Sequence, residues 1–147
     1  MSRLIKAALV VMLASWSTAF ALNFNWNVPP DPAEGGAYWG TPSNWDLGSL
    51  PGSSDAAYIL NPTGKHYCVY DPDNDSGLAD STTVIDRIYV GIENTGDTVA
   101  GEVVINSGIL YPQRIYIGHP NYVNRVGRVT VNNSANFRSK YDFYIGP

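Results

Sequence analysis

Arg87-Ile88-Tyr89-Val90-Gly91 recurs 27 residues on as Arg114-Ile115-Tyr116-Ile117-Gly118, and after a further 28 as Asp142-Phe143-Tyr144-Ile145-Gly146. A second element repeats at the same phase. Gly101-Glu102-Val103-Val104-Ile105-Asn106 matches Gly127-Arg128-Val129-Thr130-Val131-Asn132. A third apolar segment follows each, at Ile109-Leu110-Tyr111 and at Ala135-Asn136-Phe137. The segments are short, β-branched and alternating, which is a strand pattern and not a helical one. One such unit cannot cover its own apolar face, so it must stack on a neighbour. The expected fold is all-β: a parallel β-solenoid with about three short strands per rung, coiled right-handed as parallel connections prefer.

Alternation then assigns the faces. Ile88 and Val90, Ile115 and Ile117, and Phe143 and Ile145 share one parity and are expected inside. Tyr89, Tyr116 and Tyr144 fall on the other parity and are expected to stack outside. In the second strand Val103 and Ile105 belong over Val129 and Val131. The same register sets Glu102 beside Arg128, Arg114 beside Asp142, and Asn106 beside Asn132. These are complementary cross-strand pairs, and their agreement fixes the register.

Outward from the repeat, the chain divides into three stretches. Residues 1–21 read as a cleaved signal peptide: Arg3 and Lys6, the apolar run Ala7 to Ala14, and the small-x-small site Ala19-Phe20-Ala21. The apolar run is too short for a membrane span, which needs about 20 residues. The protein is therefore expected to be secreted or on the cell surface, with Leu22 as its first mature residue and no transmembrane segment in the mature chain. Residues 22–86 are expected to form an irregular, Trp-rich N-terminal cap and the first irregular strands, and residues 87–147 the solenoid rungs, incomplete at the C-terminus. Nothing in the last rung reads as a polar terminal cap, so either a partner that covers it or, as the favoured expectation, a longer gene product is implied.

The 147 residues suit one domain, and a net charge of −4 excludes a generally basic nucleic-acid binder. A 12% aromatic content argues against disorder. Cys68 is alone, which excludes a disulfide framework or a Cys-rich zinc site, and export is compatible with it if it is buried.

Between Leu22 and Asp86 four features stand out: Trp39-Gly40, Asn44-Trp45-Asp46, Leu50-Pro51-Gly52, and Asp55-Ala56-Ala57-Tyr58-Ile59. Together they resemble the opening motif of secreted bacterial β-solenoid proteins, including autotransporter-associated β-strand repeat passengers and PEP-CTERM-type exported proteins. The resemblance implies an exported structural or surface module. Trp26, Trp39 and Trp45 are expected to plug the open end of the solenoid, where strand edges must be covered. Stacking on sugar rings is their alternative role.

Three groups are candidates for chemistry or binding. Asp71, Asp73 and Asp75 alternate on a turn and supply the hard oxygens calcium prefers, so calcium is the one cofactor to consider. Tyr89, Tyr116 and Tyr144, with Arg87 and Arg114 beside them, suggest a face for surface polysaccharide or matrix. Residues 22–100 hold 2 basic and 11 acidic groups and residues 101–147 hold 5 and 2, so the rungs are the part suited to an anionic polymer. Catalysis has little support. Glu102 and Asp142 read as salt-bridge partners, and His66 and His119 stand singly without a spaced metal partner or nucleophile. Asn74-Asp75-Ser76 and Asn132-Asn133-Ser134 match the glycosylation acceptor pattern, which matters in a eukaryotic secretory route. The expected function is that of an exported structural, adhesive or cell-surface module without catalytic activity. Two alternatives are the N-terminal part of a carbohydrate-active β-helix enzyme and a glycan-binding module.

Overall fold

Ile88 lies over Ile115 and Tyr89 over Tyr116, with Arg87 against Arg114 and Val90 against Ile117, in one parallel ladder. The two Ile side chains are fully buried and the two Tyr are half-buried, as the alternation requires. The computed structural model describes residues 21–28, 36–60, 67–91, 101–118 and 127–146. The leader expected over residues 1–21 falls outside them except for Ala21, as do His66 and His119.

The strands are β1 (Asn23–Asn25), β2 (Ala37–Tyr38), β3 (Ala56–Ile59), β4 (Cys68–Tyr70), β5 (Thr82–Val90), β6 (Gly101–Ile117), β7 (Gly127–Phe137) and β8 (Asp142–Ile145). All their pairings are parallel, and they stack in three columns. The first holds β1, β3, the end of β5, the end of β6, and β8. A second holds β2, β4 and the starts of β6 and β7. The third sets the start of β5 under the middle of β6 and the end of β7. β6 runs through all three columns in 17 residues. This is a β-solenoid of about three turns.

The first column reaches further back than residue 87. Ala56 pairs with Arg87 and Tyr58 with Tyr89, and Asn23 pairs in turn with Ala56. The repeat is also not uniform. A bulge between Ile105 and Ser107 sets Asn136 over Ile109, where a constant repeat would set Ala135. This bulge accounts for one residue of the drift in repeat length.

Turning the corner after the first column requires a left-handed backbone. Gly91 and Gly118 supply it at φ 70° and 67°, a region that Gly enters without steric cost. Their N–H groups donate to Ile59 O at 3.1 Å and Val90 O at 2.9 Å, carrying the ladder through the bend. Gly146 repeats the bond to Ile117 O at 2.7 Å.

Inside the coil Ile59, Ile85, Ile88, Val90, Val103, Ile105 and Leu110 are buried together with Cys68. Each aliphatic side chain contributes roughly 1.5–3 kcal/mol by leaving water. Burial, and next the charge of Asp75, push the Cys68 thiol well above its ordinary pKa, so it is held as an unreactive thiol.

The two ends differ. Trp26, Trp39 and Trp45 are buried at the N-terminal end, where Trp45 meets the other two edge to face with centroids 5.0 and 4.8 Å away. Trp45 Nε1 donates to Trp39 O at 2.8 Å, and an antiparallel bridge joins Trp26 to Trp45. These rings are packing, not an open sugar platform. In the last rung the inward side chains Val131, Phe143 and Ile145 are 45%, 49% and 69% exposed.

Candidate functional site

The most regular external feature is the tyrosine column. It has four members: Tyr58, Tyr89, Tyr116 and Tyr144, with successive ring centroids 4.5, 4.7 and 5.0 Å apart. Interplanar angles of 11°, 12° and 6° make these near-parallel stacks. Parallel strands lie ~4.8 Å apart, so the sheet spacing itself brings the rings to stacking distance. The flat faces between neighbours are therefore covered. What the column offers to solvent is ring edges and hydroxyls, with Tyr144 46% exposed at the end. A sugar approaching from the side meets hydrogen-bonding edges and not a flat platform. Burial, and next the neighbouring Tyr89, raise the phenol pKa of both Tyr58 and Tyr116.

Charged side chains flank the column. Arg114 Nε is 3.4 Å from Asp142 Oδ2, and Arg87 Nε is 2.9 Å from Asp86 Oδ2. The second is a charge contact without hydrogen-bond alignment, since the same Nε has no hydrogen-bond acceptor. On the next column Arg128 Nη1 is 3.6 Å from Glu102 Oε1, and Asn132 Nδ2 donates to Asn106 Oδ1 at 2.7 Å.

The aspartate turn is held by hydrogen bonds to its carboxylates. Asp71 is buried, and its Oδ1 accepts from Ser107 Oγ at 2.7 Å. Its Oδ2 accepts from Asn74 Nδ2 at 2.9 Å and Asn106 Nδ2 at 3.4 Å. Burial acts to raise the Asp71 pKa, but the Ser107, Asn74 and Asn106 donors outweigh it and hold the carboxyl below its ordinary value. Asp75 is buried too, with Oδ2 taking the Gly40 N–H at 2.6 Å and Oδ1 the Gly77 N–H at 3.1 Å. Asp73 is exposed, and its own N–H donates to Ser107 Oγ at 3.1 Å. Asp71 and Asp75 thus tie the turn to β6 and to the cap. Among the described residues no three His, Cys, Asp or Glu side chains converge to hold a metal ion.

A shallow groove of about 290 Å³ lies between Leu50-Pro51 and the segment leading into β5, lined by Trp39, Leu78, Asp80 and Thr83 among others. Among the described residues Asp80 is the one titratable side chain lining it. Among the described residues no helix is long and apolar enough to cross a membrane.

Sequence reasoning missed Tyr58 as a member of the tyrosine column, and Asn106 and Ser107 as partners of Asp71. Tyr58 was legible in principle, because Ala57-Tyr58-Ile59 repeats the Ile88-Tyr89-Val90 pattern; its longer step of 31 residues hid it. No protein-family model, curated protein or solved structure matches this chain.

Proposed function

We propose that this chain is an exported structural and adhesive module of a cell surface or extracellular matrix, and that it carries no catalytic activity. One observation supports this most: the polar side chains along the rungs are engaged with neighbouring rungs. Glu102 and Asp142 each face an Arg of an adjacent rung, while Asp86 on β5 contacts Arg87 of its own strand. The tyrosines face one another, and Asn132 bonds Asn106. A catalytic groove instead needs two carboxylates free and facing a common space. Kinship with secreted bacterial β-solenoid proteins belongs to the same proposal. So do export through the leader and surface polysaccharide or matrix as the partner.

The test incubates the purified chain with neutral and acidic polysaccharides and follows reducing ends and unsaturated products. The proposal expects no turnover, with retention on at least one polymer in a pull-down. Turnover abolished by Glu102→Gln or Asp142→Asn would overturn it in favour of a carbohydrate-active enzyme.

A further inference from the structure

Leu22 and Asp55 meet where the leader joins the first rung. The Leu22 backbone N–H donates to Asp55 Oδ1 at 2.9 Å, and the Gly52 N–H donates to Asp55 Oδ2 at 2.7 Å. The contact is held rigidly from both sides. The Ala56 N–H donates to Leu22 O at 2.9 Å, and the Asp86 N–H donates to Asp55 O at 3.1 Å. β1 begins one residue later, in register with β3. Asp55 is partly buried, and among the described residues no Lys or Arg forms an ion pair with it. A carboxylate placed this way, with amide donors alone, has room for one favourable change: a positive charge on one donor.

We propose that Asp55 is a binding site for the α-ammonium group that cleavage creates on Leu22, so that removal of the leader locks the first rung. The inference rests on the reading of the chain as an exported protein. Hydrolysis by a leader peptidase breaks the Ala21–Leu22 C–N bond. Water adds its hydroxyl to the Ala21 carbonyl, leaving a carboxylate there, and the Leu22 nitrogen becomes a protonated amine. The nitrogen that was a neutral donor to Asp55 Oδ1 is now a cation at the same place. A charge-assisted bond is shorter and about twice as strong as its neutral counterpart. No other group has to move. Asp46 supports the same strand, with Oδ1 accepting the Asn25 N–H at 2.9 Å and Oδ2 the Asn25 Nδ2 at 2.6 Å. Two carboxylates therefore pin β1 at its start and end, and the one at its start receives the new charge.

The test compares the mature chain, residues 22–147, with a free or an acetylated Leu22 amine; this chain retains every described strand. The free amine should melt about 2–4 °C higher at low salt, as expected for a partly exposed ion pair in a domain of this size. The gain should shrink in high salt and vanish in Asp55→Asn. Equal melting of the free and acetylated chains would overturn the proposal, as would an undiminished gain in Asp55→Asn. Should Asp55→Asn fail to fold, the Asp55 carboxyl chemical shift in the free and acetylated chains decides: a shift on acetylation is expected, and none overturns the assignment. Whether the exported protein begins at Leu22 in the cell is read separately, from its intact mass.

Discussion

Tyr116 stacks nearly parallel to Tyr89, their ring centroids 4.7 Å apart and their planes 12° apart. The cause is register. Parallel pairing puts equivalent positions of successive rungs directly above one another at ~4.8 Å, which is also a favourable distance for aromatic stacking. The same rule lets Asn132 donate to Asn106 at 2.7 Å. It also sets Arg114 Nε 3.4 Å from Asp142 Oδ2, although the same register places Arg87 directly against Arg114.

The raised phenols make the fold sensitive to alkali. A Tyr58 or Tyr116 pKa above the ordinary value means that the folded chain keeps a proton the unfolded chain has released. Stability is therefore fully present below the unfolded value of about 10 and falls as pH rises through the folded values. Melting curves from neutral pH upward should show that fall. Tyr58→Phe should make it shallower; an unchanged slope would contradict the assignment.

Parity predicts a wide gap between two substitutions to Asp. Ile115 is buried between Ile88 and Phe143, so Ile115→Asp should cost more than about 3 kcal/mol by placing a carboxylate inside the coil. Thr130 is exposed on β7, and Thr130→Asp should stay within roughly 0.5 kcal/mol. Urea unfolding measures both. Similar losses would mean that the faces are reversed.

Asp71 links the turn to acid stability. Its lowered pKa means that its contribution is present above the ordinary carboxylate value of about 3.9 and is lost as pH falls through the folded value. Asp71→Asn should cost about 1–3 kcal/mol at neutral pH, since Ser107, Asn74 and Asn106 lose a charged acceptor. The variant should also lose less than the parent chain between neutral and acidic pH.

Calcium separates a cation site from a structural turn at the same place. The hydrogen bonds that Asp71 and Asp75 accept leave Asp73 as the exposed carboxylate of the three. Millimolar calcium should then leave the melting temperature unchanged, and Asp73→Asn should melt with the parent. A rise reversed by a chelator and weakened in Asp73→Asn would establish a site by linkage.

Much of the solenoid is legible in the sequence where residues recur at fixed phase. Ile88 with Ile115, Glu102 with Arg128, and Asn106 with Asn132 all pair as the repeat implies. Legibility fails where the step changes. The 31-residue interval conceals that Tyr58 joins Tyr89, and the bulge after Ile105 moves Asn136 into the place of Ala135. The aspartate turn is illegible for another reason. Asp71 resembles a solvated residue in its Asp-rich context, yet it is buried by Ser107 and Asn106 from 36 and 35 residues away. Local composition carries no trace of partners delivered by the next rung.

The claim that these columns hold the rungs together is tested most directly by the urea unfolding free energy of Tyr116→Ala. Tyr116 stacks on Tyr89 on one side and Tyr144 on the other, at 4.7 and 5.0 Å. Losing two aromatic contacts, each worth ~0.5–1.5 kcal/mol beyond its buried area, should lower stability by about 1–3 kcal/mol while the far-ultraviolet dichroism stays that of a β-sheet. An unfolding free energy equal to that of the parent chain would contradict the account.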